Sequence, residues 1–224
     1  MNRPEVPALE WLARAARVAR RVFRRRGRSM EEIFSEIHRT NAWASPESVS
    51  GRGSILARTV VVRRELPGLL AGVGARSLLD APCGDFNWMR HVDLGGVEYV
   101  GADVVPELIE RNRQAYEGEG RRFVTLDVVR DELPRADVVL CRDCLIHLSF
   151  RDARAAIANF RASGSTFLLA TTHPGVAKNR DIESGSWRSV NLQIAPFSFP
   201  EPLRLIEEDA ETGKCLGMWR LEEL

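Results

Sequence analysis

The spacing of apolar and polar positions changes along the chain, and the changes mark its elements. Over residues 8–26, Leu9, Leu12, Ala16, Ala19 and Phe23 recur at helical spacing, with Arg14, Arg17, Arg20, Arg21, Arg24 and Arg25 on the other side. Gly27 stops that helix. Ser29, with Glu32 three positions on, predicts a capped helix over Met30–Arg39. Residues 41–54 are rich in Ser, Gly and Pro and read as loop, and residues 55–70 read as a helix. Short apolar runs then alternate with helical ones. Strands fit Ser77–Asp80, Glu98–Asp103, 122–126, 136–141 and 165–171, and helices fit 87–92, Pro106–Tyr116 and 152–162. Two final runs, 203–209 and 215–221, read as an antiparallel hairpin. The pattern predicts an α/β fold with a doubly wound, mostly parallel sheet.

A chain of 224 residues fits one domain. Its net charge of +1 gives no global case for a nucleic-acid partner. The charge is uneven, however: residues 1–28 hold nine arginines against Glu5 and Glu10. The basic helix admits three readings: packing on the domain, lying on an anionic membrane surface, or contacting a partner or RNA. Lys178 and Lys214 are the only lysines. Cys141 and Cys144 have C-x-x-C spacing, but no second pair completes a four-cysteine zinc site, so no metal is expected. No run of 18 apolar residues and no signal core are present, which makes the cytoplasm the expected compartment.

The chemistry concentrates between the first two strands. Asp80 ends the first and is followed by Pro82, Cys83, Gly84 and Asp85; Asp103 ends the second. A strand, a glycine-containing turn and a second strand ending in an acid build a nucleotide-shaped pocket at the carboxyl edge of a parallel sheet. A carboxylate there can accept from both ribose hydroxyls, or it can cap the next helix. Asp80 suits either a ligand or a turn, Asp127 either a ligand or a helix cap, and Asp85 either caps a helix or meets a ligand. Phe86 and Trp88 read as core. The long segment 173–202 is too extended for a simple connection.

These motifs, in this order and ahead of a terminal hairpin, resemble the class I methyltransferases that use S-adenosylmethionine, from about residue 64 to the end of the sequence. Asn41, Trp43, the run from Glu47 to Ser54, Arg58 and Thr59 resemble a bacterial subgroup associated with sugar, glycan and secondary-metabolite modification. The resemblance implies a seven-stranded Rossmann-like sheet. Residues 1–63 become a helical cap and lid, 64–224 the methyltransferase domain, and 173–202 a substrate-facing insert. It implies S-adenosylmethionine as cofactor, held by Asp80, Pro82, Cys83, Gly84, Asp85, Asp103, Val104, Asp127, Val128 and Arg142, with Trp43 and Ser54 in the lid. Pro82-Cys83 replaces the family's commoner Gly-x-Gly opening.

Methyl transfer needs alignment and, for an alcohol, a base. His147, Asp143 and His173 are the candidates, with His147 best matched to neutral pH. Each also has a structural reading, as a packing, orienting or loop residue. Trp187, Arg188 and Asn191 are candidates for holding substrate: Arg188 as a forked anion contact, Trp187 as a stacking surface or a loop anchor. The expected reaction is methyl transfer to oxygen or nitrogen of a small polar acceptor such as a sugar, glycan precursor or secondary metabolite. RNA or protein methylation and a non-catalytic cofactor-binding module are the alternatives. A dinucleotide oxidoreductase fits poorly, since Gly-x-Gly-x-x-Gly is missing.

Overall fold

The computed structural model describes residues 27–224, so the basic helix expected over 8–26 lies outside the described residues. Four helices are described: α1 (Met30–Arg39), α2 (Val60–Gly72), α3 (Pro106–Tyr116) and α4 (Phe150–Ala162). Seven strands are described: β1 (Ser77–Asp80), β2 (Glu98–Asp103), β3 (Arg121–Thr125), β4 (Val138–Cys141), β5 (Phe167–Thr172), β6 (Arg204–Asp209) and β7 (Lys214–Arg220). They form one sheet in the order β3-β2-β1-β4-β5-β7-β6. β1 to β5 pair in parallel, and β7 enters antiparallel between β5 and β6.

Alternation assigns the strand side chains to two cores. Leu78, Val138, Leu140 and Leu169 pack with Val62, Leu66 and Leu70 of α2 and Ile109 of α3. Leu79, Val139, Cys141 and Leu168 face the other way, against Ala153, Ala156 and Phe160 of α4. A strand buried on both faces reads as a continuous apolar run, which is why β1 and β4 contain no polar alternation. Ser29 caps α1 through the Glu32 amide, and Glu32 returns the bond to Ser29 N at 2.7 Å. That capping box fixes where α1 starts.

Three local expectations change. The helix expected over 55–70 begins only at Val60; two 3-10 turns, Arg52–Ser54 and Leu56–Arg58, precede it. The Arg63 guanidinium donates to Leu56 O at 3.0 Å and ties that irregular entry to α2. The helix expected over 87–92 is a single 3-10 turn, Met89–His91. Segment 173–202 holds no helix or strand, and its polar residues satisfy its own backbone. Asn179 Nδ2 donates to Asn191 O at 2.8 Å and Ala195 O at 2.9 Å. Among the described residues no helix is long and apolar enough to cross a membrane.

Candidate active site

The strand order turns between β1 and β4, the position where an open α/β sheet leaves a crevice beyond its carboxyl ends. A cleft lies there, with about 990 Å³ of unoccupied space, its open mouth included. Its lining is mostly apolar, and the sheet's strand-end acids reach into it.

Asp80 and Asp103 end adjacent strands and are 3% and 7% exposed. The Tyr99 hydroxyl donates to Asp80 Oδ2 at 2.7 Å. Burial pushes the Asp80 carboxyl up to about 7, although the Tyr99 bond and the charge of Arg142 pull it down. Asp103 accepts from Gly84 N on one oxygen (3.1 Å) and from Val105 N on the other (3.0 Å). Burial raises it to about 6, against those amide bonds. The Val104 amide acts on the same carboxylate, so three backbone N–H groups fix its orientation at the strand end. Asp127 also lines the cleft; its Oδ1 accepts from Val129 N at 2.9 Å, and burial raises its carboxyl. Val104, Val105 and Leu108 line the cleft from beyond β2, and Leu126 and Val128 from beyond β3.

The loop ahead of α2 straps across the cleft. Asp85 accepts from Ser48 Oγ at 3.0 Å, Val49 N at 2.9 Å and Ser50 Oγ at 3.1 Å. It is absent from the lining, and its three bonds make it a clasp for the strap. Gly84 serves the same clasp. Its φ is +56°, and a Cβ would come within 2.2 Å of Ser50 Oγ. The missing side chain makes room for a serine as well as for a turn. Farther along, Asn87 Nδ2 donates to Glu47 Oε1 and Ser54 O, and Arg142 Nη2 donates to Gly53 O at 2.9 Å.

Arg142 and Asp143 follow β4 and belong to an alternating ion network. Arg142 Nε donates to Glu208 Oε1 at 2.8 Å, and Lys214 Nζ donates to Asp143 Oδ2 at 2.6 Å. Arg142 also pairs with Asp143 at 3.2 Å, and Lys214 with Glu208 at 2.9 Å. Burial alone would raise the Asp143 carboxyl, but Arg142 and Lys214 outweigh it and hold it well below the carboxylate range. Arg142 stacks over Trp88, with 5.3 Å from guanidinium carbon to ring centroid. Trp88, read from the sequence as core, is buried and also lines the cleft.

His147 lines the cleft beside Trp43, with ring centroids 5.0 Å apart. Its Nδ1 lies 2.7 Å from Ser186 O. A carbonyl only accepts, so Nδ1 carries the proton and Nε2 keeps a lone pair. Burial lowers the His147 pKa, and the Ser186 contact opposes that.

The cleft thus gathers Trp43, Ser54, Asp80, Pro82, Cys83, Gly84, Asp103, Val104, Asp127, Val128, Arg142, Asp143 and His147. His173, Trp187, Arg188 and Asn191 lie outside its lining. The reasons are local. His173 is buried, and Val190 N donates to its Nδ1 at 3.4 Å. Arg188 is 6% exposed, donates to Leu148 O and stacks over Phe150. Asn191 Nδ2 donates to Pro174 O and Val176 O. Trp187 is 62% exposed. No residue of 173–202 lines the cleft; the segment braces lining residues from behind, with Ser186 O and Gly185 N on His147 and Arg188 on Leu148 O.

Sequence reasoning missed several participants. Met30, Phe34 and His38 line the cleft at i, i+4 and i+8 of α1, a stripe the helical period could have revealed. Lys214 carried a faint signal as one of two lysines in an arginine-rich chain. Glu208 carried none.

No family model matches the chain, and no curated protein matches it. Solved structures match in fold. Human N-acetylserotonin methyltransferase, in complex with SAM, superposes with a TM-score of 0.60 at 14% identity, over 87% of this chain and 60% of that one. The chain therefore spans less than two thirds of the human protein's length. Magnesium protoporphyrin IX methyltransferase from Synechocystis PCC 6803, with bound SAM, gives 0.59 at 14%, over 87% of this chain and 98% of that one. A Burkholderia thailandensis 1,6-didemethyltoxoflavin-N1-methyltransferase, with bound 1,6-didemethyltoxoflavin and S-adenosylhomocysteine, gives 0.54 at 17%, over 98% and 92%. The fold is the Rossmann-like methyltransferase fold.

Proposed function

We propose that the protein is a methyltransferase that uses S-adenosylmethionine to methylate oxygen or nitrogen of a small acceptor. The observation that carries this reading is the pair of buried carboxylates, Asp80 and Asp103, ending adjacent strands in a mostly apolar cleft. Buried acids with raised affinity for protons are poised for a cation. The two oxygens of Asp103, fixed at the end of β2 by backbone N–H groups, suit a ribose diol. Val104, Val105 and Leu108 on one side and Leu126 and Val128 on the other suit a flat purine, with Asp127 at its edge. The residues fit the group.

When bound, S-adenosylmethionine supplies an electrophilic methyl group on a sulfonium. The chain's own residues do the rest. Asp80 offsets the positive charge of the ligand's amino-acid end. The strap over Asp85 excludes water. His147, neutral and unprotonated at Nε2, accepts the acceptor's proton. Asp143 is already paired with Arg142 and Lys214, which leaves it a positioning role.

Thermal unfolding with added S-adenosylmethionine, S-adenosylhomocysteine or nicotinamide dinucleotides tests the reading. At ~100 times Kd, the first two are expected to raise Tm by about 5–10 °C. Stabilisation by a nicotinamide dinucleotide alone would refute it.

A further inference from the structure

Three rings form one wall of the cleft: Phe34 from α1, Trp43 from the turn after α1, and His147 from the turn after β4. Phe34 and Trp43 have centroids 6.4 Å apart, and Trp43 and His147 are 5.0 Å apart with 32° between planes. Trp43 is seated on Gly51, where a Cβ would come within 3.3 Å of the Trp43 Cβ. The wall is built in place, and an apolar ligand meets it without a large ordering cost.

Of the polar groups around this wall, three are committed to the protein, while the buried His38 Nδ1 has no hydrogen-bond partner. Arg142 is held by Glu208, Asp143 and Gly53 O. Asp143 is held by Lys214 and Thr171. Ser50 is held by Asp85. His147 has one ring nitrogen on Ser186 O and the other left as an acceptor. A sugar carries several hydroxyls, and each one buried without a partner weakens binding by about tenfold or more. A flat aromatic with one hydroxyl needs one acceptor and a broad apolar face.

Resting on the methyltransferase reading, we infer that the acceptor is a planar aromatic or heteroaromatic molecule bearing a hydroxyl, packed on the Phe34–Trp43 wall with that hydroxyl on His147 Nε2. In the step, the acceptor oxygen bonds to the methyl carbon as the carbon–sulfur bond breaks. That bond's electron pair goes to sulfur, and the hydroxyl proton passes to Nε2 and then to water. Of the acceptors expected from sequence, a sugar, a glycan precursor or a secondary metabolite, this selects an aromatic metabolite over a sugar or glycan.

The test is binding to protein loaded with S-adenosylhomocysteine, followed by fluorescence or calorimetry. The probes are 7-hydroxycoumarin and 2-naphthol on one side, and glucose, N-acetylglucosamine and UDP-glucose on the other. Saturable binding of the hydroxyarenes and none of the sugars is expected. Trp43→Ala and Phe34→Ala should each weaken hydroxyarene binding about tenfold, and Trp43→Phe should recover most of the Trp43 loss. Sugars binding as well as the hydroxyarenes, neither hydroxyarene binding, or both alanine variants binding unchanged overturns the inference. Failure of the wild type to take up S-adenosylhomocysteine, measured before any acceptor is added, overturns the methyltransferase reading itself.

Discussion

Asp85 and Ser50 exchange two hydrogen bonds across 35 positions of sequence: the Asp85 amide donates to Ser50 Oγ at 2.8 Å, and Ser50 Oγ donates to Asp85 Oδ1 at 3.1 Å. This reciprocal pair fastens the strap of residues 47–54 to the turn after β1. It also explains why position 84 is glycine.

Gly84→Ala should therefore be costly twice over, through its positive φ and through a collision with Ser50 Oγ. A loss of about 1–3 kcal/mol is expected in denaturant unfolding. Ser50→Gly in the same chain should restore the steric part. A double variant no better than Gly84→Ala would show that the collision is not the cause.

Asp80 is held in the fold at a cost. Its folded pKa of about 7 lies above the ordinary 3.8, so the folded state retains the proton longer than the unfolded state does. The sign follows: this group's stabilising contribution is full below the unfolded value and is lost as pH rises through about 7. Asp80→Asn should raise the Tm of the ligand-free protein near pH 8, by about 2–4 °C per kcal/mol gained, and the gain should vanish near pH 4. The same variant should bind S-adenosylmethionine more weakly. Equal Tm values at both pH values would contradict the assignment.

His147→Gln should lower kcat by about 10²–10⁴-fold with little change in S-adenosylhomocysteine affinity, because it removes a base and no cofactor contact. Burial depresses the His147 pKa, so the acid limb of the pH–rate profile should fall below 6.5. The matching stability term is present above the unfolded pKa and lost as pH falls through the folded one. An acid limb at or above 6.5 that persists in His147→Gln would assign it to another group.

Lys214 bridges Asp143 and Glu208, and its removal leaves the buried Glu208 and half-buried Asp143 carboxylates sharing the single charge of Arg142. Lys214→Met should cost about 3 kcal/mol, most of it as uncompensated charge. A concurrent Glu208→Gln should recover part of that loss. Chemical denaturation of the two variants reads both effects, and an additive loss would break the network account.

The sequence carried most of the sheet because its central strands β1, β4 and β5 bury both faces. The continuous apolar runs of Leu78–Leu79 and Val138–Leu140 leave few other assignments, and β1, β2, α1 and α3 fall on the expected residues. The strand-end acids were legible for the same reason: a polar residue closing an apolar run must point out of the sheet. What escaped notice was created by distant partners. Asp85 read equally as a cap or a ligand contact until the strap came beside it. Arg188 read as an anion clamp, yet it lies over Phe150 with its charge buried. The polar residues of 173–202 read as a substrate surface because their true partners, the carbonyls of an irregular segment, carry no sequence signal.

The central claim is that Asp103 holds the cofactor's ribose at the end of β2. Calorimetric titration of S-adenosylhomocysteine into wild type and Asp103→Ala tests it most directly, with circular dichroism confirming that both are folded. The account predicts saturable binding by the wild type and a loss of at least about tenfold in the variant, equal to ~1.4 kcal/mol or more. Equal affinity in the two proteins, or no binding to the wild type, would contradict it.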